Sequence, residues 1–426
     1  MLEKKARIAF KTEGKHHFFG YYDKCPWSAD GRFLLALETD FINRLPTKHD
    51  AARIKIFDLE SGSSQVVAET RAWNWQQGCM LQWLGPDFKE RIIFNDFRGG
   101  RFASVIFNVR TNIEEKVISF PIYAVHPSGK SALSLNFSRL DNVREGYGYK
   151  GVMDPSAGET VPANDGIFYL NLDTGEQKLA LSLSDLSSDR TPWSSGQSWV
   201  DHFTFNPSGT RFAFLHRKQL RNGGMYSRLY AADADDSGLF PLLDTGMASH
   251  FYWKNDREIL VWGRPEGAPA SLGRIGFIRK MLVPVYHALF RSAAVRQKIS
   301  CDAFMLFKSQ SKSYEKIGDG ILTEDGHCSF SPDRRWLLTD TYAGRNHERK
   351  LLLFNLDSQK LIEVGRFRSL PDSKYGVKEN WDSSNLRADL HPRWNRDGTQ
   401  ICIDSVHEGS RQMYVIDVRK VVNVAL

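Results

Sequence analysis

Seven times along the chain, an aromatic or apolar residue or a histidine leads into a cluster of turn-forming residues and then a run of aliphatic, β-branched and aromatic residues. The copies begin at Trp27 (Trp-Ser-Ala-Asp-Gly-Arg-Phe-Leu-Leu), Trp83, His126 (His-Pro-Ser-Gly-Lys-Ser-Ala-Leu), Phe205 (Phe-Asn-Pro-Ser-Gly-Thr-Arg-Phe), Trp253, Phe330 (Phe-Ser-Pro-Asp-Arg-Arg-Trp-Leu) and Trp394 (Trp-Asn-Arg-Asp-Gly-Thr-Gln-Ile). Gly supplies positive φ, Pro a fixed φ, and Asn, Asp and Ser bond their own backbone, which is what a tight turn demands. Most copies lead on to a further apolar run closing on an acidic or polar residue, as in Ile54-Lys-Ile-Phe-Asp-Leu, Leu229-Tyr-Ala-Ala-Asp-Ala and Met413-Tyr-Val-Ile-Asp-Val; the fifth has Ala303-Phe-Met-Leu-Phe instead. The pattern predicts strand, turn, strand, loop, strand, repeated sevenfold.

Successive turns are separated by as few as 41 residues (Asp87 to Ser128) and as many as 80 (Ser128 to Ser208). The shortest gap matches the roughly 40 to 45 residues of a four-stranded propeller blade, and the longer ones leave room for insertions. We therefore expect an all-β fold, a seven-bladed β-propeller forming a single domain over 1–426, in which closing the ring removes exposed sheet edges. The last copy runs out after its third strand at Met413 to Val418, so Arg7-Ile-Ala-Phe is expected to complete that blade and fasten the ring.

Composition refines this picture at one place. The 426 residues are 41% hydrophobic and 25% charged, ordinary for a folded, water-soluble chain and incompatible with intrinsic disorder. The formal charge is +7, yet six of those charges (Arg274, Arg279, Lys280, Arg291, Arg296, Lys298) fall between Glu266 and Asp302, a stretch with no acidic residue. The same stretch spaces Ile275, Ile278, Met281, Leu282, Val285, Leu289 and Phe290 three and four apart, which predicts a basic amphipathic helical insertion within blade five, over 264–300, interrupted at Pro284. Such a segment either packs on the propeller or lies on an anionic membrane through 274–299. With the excess so local, nucleic acid is not the expected partner. Apolar runs are far below the about 20 residues of a bilayer span, and the N-terminal region lacks a secretory signal pattern. The expected location is cytoplasmic, with peripheral contact at the inner membrane if the insertion is exposed. Five cysteines without paired spacing read as scattered buried thiols.

The innermost strand of each blade lines the axial channel, so the polar residues leading into each turn are the site candidates. They are His16, His17, Tyr21 and Tyr22; Trp73, Asn74, Trp75, Gln76 and Gln77; His126; Asp201 and His202; His250; His327; and Asp389, His391 and Arg393. Six of the seven blades would thus bring a histidine to one rim. Imidazoles converging from different strands suit a metal or an acid/base centre, although each alone reads as a satisfied structural histidine. His202, His250, His327 and His391 are expected at one end of the channel. Trp73 and Trp75 fit a saccharide subsite with the neighbouring amides, and equally fit blade packing. There is no Gly-x-Ser-x-Gly elbow and no phosphate loop, and Ser331-Pro-Asp-Arg-Arg-Trp lacks the glycine of a sialidase Asp box.

Gly326-His327-Cys-Ser-Phe-Ser-Pro-Asp, Asp389-Leu-His391-Pro-Arg-Trp-Asn-Arg-Asp-Gly, Asp404-Ser-Val-His-Glu-Gly and Asp201-His202-Phe-Thr-Phe-Asn-Pro resemble the oligogalacturonate lyases, seven-bladed propeller enzymes of the TolB-like superfamily. His16-His-Phe-Phe-Gly-Tyr-Tyr-Asp is similar to the start of propeller lyases acting on ulvan and other glucuronate polymers. In the galacturonate family a divalent metal is held by a blade-six histidine and a Gln-x-x-His-x-His run. The resemblance implies His327 and His391 as ligands of Mn or Zn, with Asp389 where the middle histidine stands and Leu386 where the glutamine stands. The family's catalytic arginine corresponds to Arg228, or alternatively to Arg217.

The implied activity is β-elimination on an anionic, uronic-acid-containing oligosaccharide. That reaction removes the proton at C5 beside a carboxylate and expels the oxygen at C4, so it needs a charge neutraliser, a base and an acid. Metal at His327, Asp389 and His391, or Arg393, would neutralise; His202 or His250, or Arg228 by family likeness, would be the base. Tyr22, Tyr147 or Tyr149 would be the acid, and His17, Trp73, Asn74, Trp75 and Gln77 would bind sugar. The competing expectation is a non-catalytic TolB-like propeller binding glycan or protein in surface-polysaccharide machinery at the inner membrane.

Overall fold

The computed structural model describes residues 2–187, 196–220, 223–267, 301–378 and 380–423. Its strands form seven four-stranded antiparallel sheets, the blades of a propeller. Six blades are built from consecutive strands. Blade four, for example, runs from the inner strand Ser198–Phe205 through Arg211–Gln219 and Met225–Asp233 to the outer Phe240–Gly246. Blade seven takes three strands from the C-terminal region (Arg393–Trp394, Gln400–Ser405, Gln412–Asp417) and its outermost from Arg7–Lys11, which pairs antiparallel with Gln412–Asp417 in the register Arg7 to Asp417 and Lys11 to Tyr414. The N-terminal segment thus fastens the ring as its sequence implies.

Burial falls from the middle of each blade to its rim, which explains the run-like character of the strands. In blade one Leu34, Leu35, Ala36 and Leu37 are all fully buried because neighbouring blades cover both faces of that strand. The outer strand Ser64–Thr70 exposes most of its positions. The turn signature has a single chemistry in four blades: a Ser or Asn side chain accepts the backbone N–H five residues on. Ser28 takes Phe33 N, Asn206 takes Arg211 N, Ser331 takes Trp336 N and Asn395 takes Gln400 N, at 2.9 to 3.0 Å.

The strands Glu258–Gly263 and Ala303–Lys308 of blade five are hydrogen-bonded neighbours, and Arg264 reaches Asp302 at 2.8 Å, so the basic segment leaves between the second and third strands. Residues 268–300, with the expected helices and all six cations, lie outside the described residues. Among the described residues no helix is long and apolar enough to cross a membrane.

Candidate active site

His202, His250, His327 and His391 come from blades four to seven and meet around the Tyr21–Tyr22 pair, His250 against Tyr22 and the other three against Tyr21. The rings of His250 and His327 are 4.2 Å apart and those of His327 and His391 4.3 Å. Tyr21 stacks on His202 at 4.8 Å and meets His391 edge-on at 5.0 Å. Two of the four are aimed by unusual backbone. The pairing of the blade-four inner strand slips between Asp201 and Thr204, and His202 sits at φ 56° within that bulge; His391, just before its strand, has φ 42°. A left-handed non-glycine residue is costly, and a bulge re-aims a side chain out of the pleat.

Two histidines are oriented by carboxylates. His327 Nδ1 lies 2.9 Å from Asp340 Oδ1, which also takes the His327 backbone N–H, and His250 Nδ1 lies 2.9 Å from Asp325 Oδ1. A carboxylate only accepts, so each Nδ1 carries the proton and each Nε2 keeps its lone pair. His202 differs: its Nε2 is covered by Arg144 Nη1 at 3.2 Å and the Tyr21 hydroxyl at 3.4 Å, while Gln77 Nε2 lies 3.3 Å from Nδ1. Burial holds His202 well below the ordinary imidazole range, reinforced by Arg217 and Arg144, and burial also lowers His250 against the opposing charge of Asp325. Both imidazoles are neutral at pH 7. Burial likewise keeps the Tyr21 phenol protonated.

His327, Asp389 and His391 form the one group of metal-ligating side chains found among the described residues, with ligand atoms within 4.8 Å of one another. Neither ring nitrogen of buried His391 has a hydrogen-bond partner, whereas Asp389 Oδ1 is paired with Arg349 Nη2 at 3.0 Å. Burial would raise the Asp389 pKa, but Arg387 and Arg349 outweigh it and keep the group ionised. Two imidazoles, one carboxylate and an outer Asp340 that fixes the His327 tautomer make a donor set that fits a first-row divalent ion.

Several expected site residues have other duties. His17 is fully buried with Gln412 on Nδ1 and Glu38 on Nε2, leaving no atom for a ligand. His16 packs against Tyr375, and His126 lies in the turn, bonded to Ser128 and pressed on Gly209 of the next blade, so the histidine ring spans four blades and not six. Trp73 and Trp75 are buried against Phe18 and Phe41, their indole N–H groups donating to Asp50 and Arg44 carbonyls; they offer no face to a sugar. Asn74 ties the loop by donating to the Tyr147 carbonyl and accepting from Gln76 and Gln77 N–H. Arg393 is buried between Asp404 and the Gly20 and Tyr21 carbonyls, where it props up the Tyr21 loop and cannot neutralise a substrate.

The Tyr22 hydroxyl donates to the Phe251 carbonyl, and Tyr149 stacks on Phe137 in the core, its hydroxyl bonded by Asn95; neither presents an acid. Arg228 faces Asp244 on the outer strand of blade four, whereas Arg217 reaches Asp201 beside His202 at 3.2 Å. Of the expected set, the structure brings together His202, His250, His327, Asp389, His391, Arg217 and Gln77. Sequence reasoning missed Tyr21 as the hub, Arg144, Arg387, Asp325 and Asp340. For Arg387 a signal existed, since it stands two residues before Asp389, whose Oδ2 accepts from its Nε at 2.8 Å.

No protein-family model matches the chain, and no curated protein sequence does. Solved structures do. An oligogalacturonate lyase of Vibrio parahaemolyticus matches with TM-score 0.61 at 11% identity, over 97% of this chain and 93% of that one. An oligogalacturonate lyase in complex with manganese matches at 0.61 and 14%, over 98% of each chain. The hydrazine synthase of Kuenenia stuttgartiensis matches at 0.50 and 10%, over 95% and 97%. At these identities the likeness is one of fold, and the chain shares the seven-bladed propeller of the oligogalacturonate lyases.

Proposed function

We propose that the protein is a lyase that cleaves a uronic-acid-containing oligosaccharide by β-elimination. The observation that carries this reading is that His327 meets both His250 and His391, with Asp389 beside the ligand atoms of His327 and His391 and Tyr21 against His391. His327, Asp389 and His391 would hold a divalent metal such as manganese, which when bound would stabilise negative charge developing on the substrate carboxylate. Arg387, bonded to Asp389, adds a fixed positive charge on the same side.

His250 is the base in this reading. Its Nδ1–H is held by Asp325, which leaves a neutral Nε2 to take the C5 proton, while the lone pair of His202 is already engaged by Arg144. Tyr21, protonated and in contact with His202, is placed to give a proton to the departing oxygen. The electron pair of the broken C5–H bond then becomes the new C4–C5 double bond as the C4 oxygen leaves.

The test is a screen of galacturonate, guluronate, mannuronate and glucuronate oligomers for new absorbance from the unsaturated uronate, with manganese added or chelated. Product from at least one oligomer is expected, lost in His250→Ala by about 10²- to 10⁴-fold. Binding without any unsaturated product would instead mark a glycan-binding propeller and overturn the lyase reading.

A further inference from the structure

Arg411, in the hairpin that leads into the strand Gln412–Asp417, is fully buried, yet among the described residues no carboxylate lies within ion-pair distance of it. The two carboxylates whose charge reaches it are spent elsewhere. Both oxygens of Asp404 go to Arg393, at 3.1 and 2.9 Å, and those of Asp389 go to Arg349 at 3.0 Å and Arg387 at 2.8 Å. Burial lowers the Arg411 pKa to about 10 against the pull of Asp404 and Asp389, and the like charges of Arg393 and Arg349 push the same way as burial. A cation taken wholly out of water is costly unless it is paired and hydrogen-bonded.

The surroundings account for only part of this guanidinium. It lies over the rings of Phe18 and Trp75, 5.0 and 4.8 Å from their centroids, and Nη2 donates to the Trp75 carbonyl at 3.2 Å. Aromatic contact serves the flat faces of a guanidinium and leaves the in-plane N–H groups in want of acceptors, and those of Nε and Nη1 have none. Two further donors nearby are orphaned as well: Nη1 of Arg349, and the indole N–H of Trp381, which packs in one buried cluster with Phe18 and Trp75. The orphaned acceptor beside them is Gln76 Oε1, whose amide nitrogen is fixed by the Asn385 and Arg387 carbonyls, while His16 Nδ1 can play either part. Water must donate as well as accept, so it suits a place where donors and acceptors balance. An anion only accepts, and suits an excess of donors.

We propose that Arg411, with Arg349 and Trp381, holds a buried monovalent halide inside the ring, chloride in ordinary solutions, so that Arg349 is shared between the halide and Asp389. Arg411, Arg349 and Trp381 are 0%, 1% and 2% exposed, which favours a small spherical ion, able to accept N–H groups from any direction, over a polyatomic one. The ion ties together three segments distant in sequence: the hairpin before Gln412–Asp417, the strand Glu348–Asn355 and the loop between blades six and seven that also carries Asp389. Its role is to balance charge within the fold, and it is independent of whether the protein cleaves uronates.

The test pairs two measurements on the full chain. Crystals grown with sodium bromide in place of chloride are expected to show an anomalous bromide peak within hydrogen-bond distance of Arg411 Nε or Nη1. Thermal unfolding, with a chelator present so that no metal contributes, is expected to have a midpoint higher by about 2 °C or more in about 0.2 M sodium chloride than in sodium gluconate at the same ionic strength. Arg411→Gln removes the charge that holds the ion and should abolish that gain, which also separates site binding from the general effect of the two salts on protein surfaces.

A bromide peak at Arg411 together with a chloride gain that needs Arg411 supports the site. No peak there, a water in its place, or a gain that is absent or persists in Arg411→Gln overturns it. Should Arg411→Gln fail to fold, the bromide peak in the unsubstituted protein decides alone.

Discussion

Asp325 decides which nitrogen of His250 is free, and so decides what that histidine can do. With its 2.9 Å contact to Nδ1 the ring is pinned in one tautomer; an asparagine there could donate to Nδ1 and turn the proton onto Nε2, where the proposed reaction needs a base. Asp325→Asn is therefore expected to lower kcat by about 10- to 100-fold with KM little changed, and Asp325→Glu to restore part of it. A proportional loss of folded protein in thermal melts would mark Asp325 as structural instead. Single residues of this kind are where sequence reading runs out. Arg393 and Arg144 are both arginines beside candidate histidines, yet Arg393 is spent on Asp404 and two carbonyls while Arg144 keeps a quarter of its side chain in solvent. The tryptophans of Trp73-Asn-Trp75 suit a sugar platform or a core equally well as residue types, and only their contacts with Phe18 and Phe41 settle the matter.

At the scale of elements the sequence is far more informative, because a turn is chosen by neighbours within five residues. The signatures at Ser28, Asn206, Ser331 and Asn395 all close by the same side-chain acceptor, so a pattern in residue types maps directly onto a bond. Asn206→Ala removes the acceptor of Arg211 N and is expected to cost about 1 kcal/mol in chemical denaturation, with Asn206→Ser recovering much of it, since serine does this work in blades one and six. An unchanged midpoint in the alanine variant would show that water replaces the side chain. The same locality explains the misplacement of His126: it occupies the turn position that Asn206 and Asn395 hold in their blades, four residues beyond the place where His202 faces the channel. The bulge at Asp201 to Thr204 and the left-handed backbone of His391 carry no comparable signature, because they are set by neighbouring strands far away in sequence.

The whole molecule depends on joining residues 7–11 to residues 412–417, the step that turns an open row of blades into a ring. Without the strand Arg7–Lys11, Gln412–Asp417 would present an unpaired edge, and Phe10 would leave its contact with Phe57 at 5.6 Å. Removing residues 1–11 is expected to destabilise the fold by on the order of 3 kcal/mol and to promote association through the bared edge, read by melting and by light scattering. A charged pair adds a pH signature to this seam. Hydrogen bonds from Arg419 first, and then from Arg7, hold the Asp417 carboxyl at about 2, against the opposing effect of burial. Because its pKa is depressed in the folded ring, the carboxylate stabilises the fold fully above about pH 4, and that contribution fades as the pH falls towards 2. Both arginines are more than half exposed, so the gain is screened to roughly 1 kcal/mol or less. Asp417→Asn should therefore lower stability at pH 7 by about that amount and by almost nothing at pH 2, and a variant equally destabilised at both pH values would show that Asp417 acts through packing and not through its charge.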